Sequence, residues 1–175
     1  RRNKQPMSLL LLDLDRFKVI NDSLGHMVGD QLLVAITRRL NTHLRTDDMV
    51  ARLGGDEFTI LLDDISHIDE VTVIAQRILE NLLSPQVLDG YTVFTGASIG
   101  IVLSNPSYNS AGEILRDADL AMYRAKGKGK GCYMIFDQEI VRKEDEKLII
   151  KARITGVLTK NGRPVSPDIL IEKFE

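Results

Sequence analysis

The sequence predicts a domain of the α/β or α+β class, in which helices pack against a β-sheet. One observation is the short apolar run Met7–Leu12, which lacks polar positions and is typical of a strand buried on both faces. Another is a set of segments whose apolar residues recur every three or four positions, the spacing of amphipathic helices. Strands and helices of this kind intermix along the chain, so we expect a sheet with helices against it.

The elements are expected in the order strand, helices, hairpin, and further helices and strands. The first strand ends in Asp13-Leu14-Asp15, and Asp15 is predicted to cap a helix that begins near Arg16 and is broken by Gly25. The other predicted elements are a helix over Gly29–Leu44, a hairpin over Met49–Asp64, a helix over Ser66–Leu83, a β-rich stretch over Val93–Leu103, a helix over Ala111–Ala125 and a closing strand over Tyr133–Phe136.

The sequence changes character after Asp137. Glu139–Ile150 is charged and predicts a helix, and Asn161-Gly162 predicts the turn of a hairpin within Ile154–Val165. We therefore expect one domain over residues 1–137. Residues 138–175 are expected to be a linker and the start of a further structural unit.

Composition narrows the class of protein. The 175 residues suffice for one domain with a real core, and no apolar run is long enough to cross a bilayer, so no membrane contact is expected of this chain. A single cysteine, Cys132, excludes an internal disulfide framework and is compatible with the cytoplasm. A net charge of −2 argues against a nucleic-acid partner, which would favour a strong basic excess.

The segment Arg52–Phe58 is the most informative part of the chain. It places two glycines, Gly54 and Gly55, and two acids, Asp56 and Glu57, between strand-like runs, which predicts a hairpin with an acidic tip. If the first strand lies beside this hairpin, three carboxylates including Asp13 converge, and oxygen ligands of this kind suit Mg²⁺. The alternative is that these acids serve only as caps and turn residues.

Four motifs in order resemble the GGDEF domain, the diguanylate cyclase family. Arg52–Phe58 resembles its signature, and the other matching segments are Asp13–Asp22, Leu24–Asp30 and Ala118–Lys126. Together they cover roughly Met7 to Phe136.

The resemblance implies an α+β fold with a mixed sheet of about five strands flanked by helices, like nucleotidyl cyclases and polymerase palms. It also implies an enzyme that joins two GTP molecules into cyclic di-GMP and releases two pyrophosphates. Each domain would hold one GTP, so a homodimer is expected. The implied cofactor is Mg²⁺, or Mn²⁺, with up to two ions per site.

Site roles carry over from the family position by position. Asp13 and Asp56 would ligate the metal through carboxylates, and Leu14 through its carbonyl. Asp56 and Glu57 would be the catalytic acids, and Glu57 would either ligate the second metal or help deprotonate the 3′-hydroxyl. Asn21 and Asp30 would read guanine, since a carboxylate can accept from both N–H donors of that base. The alternative for Asp30 is a helix N-cap.

Further residues are implied around the phosphates. Phe17 and Lys18 would contribute backbone N–H groups, and Gly54 and Gly55 would allow close approach of the hairpin. Lys126 and Lys130 would neutralise phosphate charge, although the family commonly has Arg at the second position. Lys keeps the charge there and loses the bidentate fork. The alternative is that both lysines lie in a solvated helix exit.

Arg45 and Asp48 resemble the RxxD inhibitory site of many members, at which the product cyclic di-GMP binds. The planar guanidinium of Arg suits stacking on guanine and binding to phosphate. The alternative is an exposed arginine near a loop carboxylate.

Two departures from the family pattern bear on function. Only Arg1–Pro6 precede the first strand, so we expect a domain truncated at its N-terminus and weakly active. Asn161–Leu170 faintly resembles an early piece of the EAL domain, so a fused EAL domain is a candidate partner in the parent protein. Separately, a fused sensor is expected in the parent protein, which could be membrane-anchored. A module that senses GTP or cyclic di-GMP without turnover, and a structural dimerisation domain, are the competing hypotheses.

Overall fold

The computed structural model describes residues 6–65 and 67–136, together with backbone segments at 159–160 and 163–164. The chain divides into two units, residues 1–136 and 137–175. The elements of the first unit are β1 (Met7–Asp15), α1 (Phe17–Leu24), α2 (His26–Asn41), β2 (Met49–Gly54), β3 (Glu57–Asp63), α3 (Ile68–Leu82), β4 (Gln86–Leu88), β5 (Tyr91–Val93), β6 (Gly96–Leu103), α4 (Ala111–Gly127) and β7 (Tyr133–Ile135).

Five strands form the main sheet in the order β2-β3-β1-β6-β7. The apolar run near the N-terminus therefore forms the central strand, antiparallel to both β3 and β6. The parallel pairing of β6 with β7 makes the sheet mixed. This confirms the predicted α+β fold with five strands and flanking helices.

Side chains of β1 alternate between two apolar layers, as the pleat of a strand requires. Leu10, Leu12 and Leu14 lie in the larger core, which includes buried residues of α1, α2 and α3. Leu11 lies on the opposite face with Ala118 and Met122 of α4. Asp13 and Asp15 share the parity of Leu11, so the register of β1 directs both acids to the face covered by α4.

The approach of α4 to the sheet depends on Gly100 of β6. A Cβ atom at this position would lie 2.0 Å from the carbonyl oxygen of Ala118 and 2.5 Å from the backbone nitrogen of Met122. Only a residue without a side chain allows the helix to pack so closely.

Several boundaries differ from those predicted. The second helix begins at His26 and ends at Asn41, because Gly29 lies inside it and does not start it. The helix α3 covers Ile68–Leu82, and Ser66 of the predicted helix lies outside the described residues. The hairpin β4–β5 was not predicted, although its Asp89-Gly90 turn, with φ of 49° and 82°, is a recognisable hairpin signal.

In the second unit, Thr159–Lys160 (β8) pairs antiparallel with Arg163–Pro164 (β9), within the range of the predicted Ile154–Val165 hairpin. The predicted turn residues Asn161 and Gly162 lie outside the described residues. The predicted Glu139–Ile150 helix and most of the EAL-like stretch lie outside the described residues. Within the described residues, no helix combines the length and apolar character needed to span a membrane.

Candidate active site

The two acidic segments meet at one edge of the sheet. Asp13 is the direct cross-strand partner of Glu57, and the backbone N–H of Leu14 donates to the carbonyl oxygen of Asp56 at 3.1 Å. The first strand and the hairpin tip are therefore hydrogen-bonded neighbours, as the sequence analysis required. On its other side, Asp13 lies opposite Ser98 of β6.

The hairpin tip owes its shape to its glycines. Gly55 has a φ of 52°, in the left-handed region that favours glycine, and its carbonyl oxygen accepts a hydrogen bond from Nε of Arg52 at 3.0 Å. Phe58, which follows the acids, is 1% exposed and anchors the hairpin in the core. Asp56 and Glu57 are half-buried between this anchor and solvent.

The carboxylate of Asp13 is largely buried and lies close to two other acidic side chains. Burial raises the pKa of its carboxyl, and the nearby charges of Asp56 and Asp15 raise it further. Nζ of Lys126 lies 2.7 Å from Oδ2 of Asp13 and lowers that pKa in opposition. The ion pair joins the end of α4 to the acidic edge, so the side chain of Lys126 lies at that edge and is not simply solvated.

Asp15 is not the helix cap that was predicted. The position before α1 is Arg16, with a φ of 64°, and Asp15 is 7% exposed inside β1. Its carboxylate accepts hydrogen bonds from Oγ of Ser98 at 2.8 Å and from the backbone N–H of Gly131 at 2.9 Å. A buried carboxylate needs donors, and tertiary neighbours supply them. Asp15 thus fastens the glycine-rich segment after α4 to the sheet.

Lys130 belongs to this fastened segment. It has a φ of 70°, and its backbone N–H donates to the carbonyl oxygen of Ala125 at 3.2 Å. Its side chain is exposed and forms no ion pair within residues 6–65 and 67–136. Of the two predicted phosphate-binding lysines, only Lys126 contacts the acidic edge.

The predicted guanine-reading residues lie on the helical pair α1–α2. Asn21 is half-buried near the end of α1, and Asp30 is exposed within the early part of α2. Asp30 is inside the helix, so the N-cap alternative is wrong. The carboxylate of Asp30 is accessible to a ligand in solvent.

The beginning of α1 leaves backbone donors free. Phe17 and Lys18 are its first residues, and the first N–H groups of any helix have no intrahelical acceptor. The side chain of Phe17 is 8% exposed and packs in the core, so only its backbone can serve a ligand. This arrangement fits the predicted use of backbone N–H groups near phosphates.

The donor set at the edge fits a divalent metal held together with a ligand. Within residues 6–65 and 67–136, no three Asp, Glu, His or Cys side chains lie close enough to form a metal site by themselves. The three carboxylates expected to converge share one edge of the sheet but do not form such a group, and Asp13 is paired there with Lys126. Mg²⁺ commonly takes one or two carboxylates plus substrate phosphates, and Asp13 and Asp56 meet that need.

Arg45 and Asp48 form a tight turn before β2. One carboxylate oxygen of Asp48 accepts from the backbone N–H of Arg45 at 2.7 Å, and the other accepts from that of Asp63 at 3.3 Å. Asp48 therefore has a structural role in this turn. The side chain of Arg45 is exposed.

Sequence reasoning missed residues that hold the side chains near the site in place. Ser98 and Gly131 contact Asp15 from positions 83 and 116 residues away, and nothing in the local pattern of either residue indicates that contact. Gly29, which contacts Asn21, was also missed. The available signals were its place in the family-like segment Leu24–Asp30 and the presence of a glycine in an amphipathic helix.

Comparison with known proteins agrees with the geometry. Residues 1–132 match the family described as diguanylate cyclase, GGDEF domain. The chain is 40% identical over 148 residues to diguanylate cyclase TpbB of Pseudomonas aeruginosa, covering 82% of this chain and 34% of that protein. It is 35% identical over 152 residues to cyclic di-GMP phosphodiesterase NbdA of the same species, covering 87% of this chain and 19% of that protein.

The fold agrees as well. The crystal structure of the GGDEF domain of YfiN (TpbB) from Pseudomonas aeruginosa has a TM-score of 0.74 and 41% sequence identity, covering 77% of this chain and 84% of that one. The chain spans about a third or less of the length of these curated relatives. Family match, identity and fold lead to one conclusion: the chain belongs to the diguanylate cyclase GGDEF-domain family.

Proposed function

We propose that this domain condenses two GTP molecules into cyclic di-GMP and two pyrophosphates. The observation that carries the proposal is the meeting of Asp13 with the Asp56–Glu57 hairpin tip beside Lys126. This edge combines acidic ligands with a cation suited to phosphate. An edge that served only the fold would have no need of so much unfavourable negative charge.

The metal would be Mg²⁺ or Mn²⁺, with up to two ions per site. Asp13 and Asp56 would hold it through carboxylates, Leu14 through its backbone carbonyl, and Glu57 would hold a second ion or act as a base. When bound, the metal supplies Lewis-acid stabilisation of charge on the reacting phosphate. Loss of the metal on chelation should abolish product formation and leave the fold intact.

The triphosphate would lie between α1 and the glycine-rich segment after α4. The backbone N–H groups of Phe17 and Lys18 would donate to phosphate oxygens, as helix N-termini commonly do. Lys126 and Lys130 would neutralise phosphate charge. Gly54 and Gly55 would let the hairpin backbone come close to the nucleotide.

Guanine would be read by Asn21 and Asp30. The N1–H and N2–H donors of guanine match the two oxygens of the exposed Asp30 carboxylate. Adenine lacks this pair of donors, so the proposed substrate is GTP and not ATP.

Each bond formed has a matching bond broken. The 3′-hydroxyl oxygen of one GTP attacks the α-phosphorus of the other, the bond from that phosphorus to the pyrophosphate oxygen breaks, and the hydroxyl proton leaves to a base. Repetition of the step from the second GTP closes the ring. Each domain holds one nucleotide, so two domains must face each other.

The test is incubation of the purified chain with GTP and Mg²⁺, followed by chromatography for cyclic di-GMP and pyrophosphate. We expect both products from GTP and neither from ATP. Asp56→Asn should eliminate both. Robust GTP binding with no product would contradict the cyclase proposal.

A second candidate is a module that binds GTP or cyclic di-GMP without turning it over. The resemblance to NbdA, whose name is that of a phosphodiesterase, supports keeping this candidate. The intact set of Asp13, Asp56, Glu57, Asn21 and Asp30 favours the enzyme. Calorimetry with GTP separates the two, since a sensor binds and forms no product. Absence of both binding and product would favour a structural dimerisation domain.

We also propose that cyclic di-GMP binds near Arg45 and lowers turnover. The exposed guanidinium of Arg45 supports this, while Asp48 would act mainly by shaping the turn. Calorimetry should show weaker cyclic di-GMP binding by Arg45→Ala and unchanged binding by Arg38→Ala, a matched exposed arginine. Equal product affinity in wild type and Arg45→Ala would remove this proposal.

A further inference from the structure

Gly29 provides the space that the side chain of Asn21 occupies. A Cβ atom built on Gly29 would lie 1.8 Å from Oδ1 of Asn21, 2.9 Å from its Cγ and 3.4 Å from its Nδ2. These are the three nearest atoms, and all of them belong to Asn21. Any residue other than glycine at position 29 would force the carboxamide of Asn21 to move.

The helix itself gives no reason for glycine at this position. Gly29 lies in the interior of α2, is buried, and has no positive φ. Glycine destabilises a helix interior relative to alanine. The benefit that offsets this cost must come from the neighbour that fills the space, which is Asn21.

The contact also sets the orientation of the Asn21 amide. Oδ1 is buried and has no hydrogen-bond donor among the described residues. The Cα hydrogen of Gly29 that takes the place of a side chain points towards this oxygen, which is the geometry of a weak C–H donor. Nδ2 has no hydrogen bond within the described part of the chain, so both of its N–H donors are available to a ligand.

We propose that Gly29 is a positioning residue for base recognition: its missing side chain creates the slot that holds Asn21 with its amide nitrogen presented to an acceptor on guanine. This inference rests on the proposed role of Asn21 in binding GTP. Asp30, next to Gly29, accepts from the base while Asn21 donates to it. The pair therefore matches a purine edge that carries both donors and acceptors.

The test uses Gly29→Ala, Asn21→Ala and the double variant, with Gly112→Ala as the matched control. The control introduces a Cβ into a helix at 3.7 Å from Oγ of Ser110, an ordinary contact. Gly29→Ala should raise the KM for GTP about tenfold, the usual effect of one lost hydrogen bond, and leave kcat nearly unchanged. Asn21→Ala should match it, and the double variant should be no worse than either single variant.

Stability separates positioning from a merely structural role. The clashing atoms are at the end of a short movable side chain, so Gly29→Ala should melt no lower than wild type. In the Asn21→Ala background, Gly29→Ala should raise the melting temperature, because the carboxamide that would clash is absent and alanine has the higher helix propensity. A melting temperature lowered equally in both backgrounds would overturn the inference.

One measurement works without any nucleotide. The side-chain amide resonances of Asn21 should shift in Gly29→Ala and stay in place in Gly112→Ala. Unchanged resonances in Gly29→Ala, or effects on KM that add in the double variant, would overturn the inference. If wild type binds no GTP, the proposed function fails, while the resonances still decide whether Gly29 holds Asn21.

Discussion

The carboxylate of Asp13 lies where burial and neighbouring charges disfavour an ionised group. Its pKa is raised by these effects and only partly restored by Lys126. The ionised side chain therefore costs folding free energy, which a purely structural site would avoid. Such a residue is expected to serve ligand binding more than stability.

Asp13→Asn should therefore separate activity from stability. We expect product formation to fall at least about 100-fold, since the carboxylate proposed to hold the metal is lost, and the melting temperature to stay level or rise. Product chromatography and calorimetric melting check the two parts. As a control, Asp22→Asn changes an exposed acid of α1 and should affect neither much. Loss of stability equal to the loss of activity would contradict this account.

Tyr108, which lies away from the acidic edge, is a second residue with a raised pKa and is hydrogen-bonded to Asp117. The hydroxyl of Tyr108 donates to Oδ2 of Asp117 at 2.9 Å, and burial followed by this hydrogen bond raises the pKa of Tyr108 well above its ordinary 10.0. The folded state thus holds the proton more tightly than the unfolded state. This contribution to stability is fully present below the ordinary pKa and is lost as pH rises through the folded value.

Tyr108→Phe should cost about 1 kcal/mol of unfolding free energy at neutral pH, the usual value of one hydrogen bond. The difference from wild type should shrink as pH rises above about 10, because the tyrosine then ionises in the unfolded wild-type chain while the folded state still holds its proton. Urea unfolding at several pH values measures it. Tyr123→Phe, an exposed tyrosine, is the control. A difference that is constant with pH would contradict the expectation.

The sequence was a better guide to which residues lie close together than to the contacts that each residue makes. Asp13, Asp56 and Glu57 were expected at one edge and lie there, because a buried strand and an acidic hairpin have strong local patterns. Asp15 was wrongly predicted as a cap, because its donors, Ser98 and the backbone of Gly131, come from distant parts of the chain. Local propensity contains no information on such tertiary donors.

At the scale of elements, one arginine joins α2 to the end of α3 and to the connection that follows it. Nη1 of Arg39 in α2 donates to the carbonyl oxygens of Asn81 at 2.8 Å and Ser84 at 2.7 Å, and Nη2 donates to that of Pro85 at 3.2 Å. These acceptors lie at the end of α3 and before β4. A cation there also suits the negative end of the α3 dipole.

Arg39→Met should destabilise the domain by about 2 kcal/mol, because the charge-assisted bonds from its guanidinium to the carbonyls of Asn81, Ser84 and Pro85 are lost. The neighbouring Arg38 is exposed, and Arg38→Met should change stability by less than about 0.5 kcal/mol. Urea unfolding of both variants checks this pair. Equal effects of the two substitutions would show that the bonds of Arg39 contribute little.

Elements with strong periodicity were predicted well, and those defined by packing were not. The buried strand, the acidic hairpin and α4 follow from their apolar spacing. The short β4–β5 hairpin was missed because strands of three residues leave too little pattern. The start of α2 was misplaced because Gly29 looked like a boundary, while its contact with Asn21 explains why glycine lies inside the helix.

At the scale of the whole molecule, the proposed reaction needs two copies of the domain. Each domain presents one acidic edge on its central sheet, and the proposed product contains two nucleotides. If paired domains form the active unit and the pair is weak, turnover per chain depends on how often copies meet.

The initial rate of product formation should therefore be second order in protein over a dilution series at saturating GTP. GTP bound per chain, measured on the same series, should stay constant and serves as the control. Size-exclusion chromatography with light scattering reports the state of association. A rate proportional to the first power of an otherwise monomeric protein would count against facing domains.

The register of β1 also limits where the length of this chain can change during evolution. Adding or removing one residue between Met7 and Asp13 would turn Asp13 away from Lys126 and into the opposite apolar layer. A change of length in the 104–110 connection would leave that alternation untouched. Among natural relatives, insertions and deletions should therefore accumulate in such connections and be absent from the central strand.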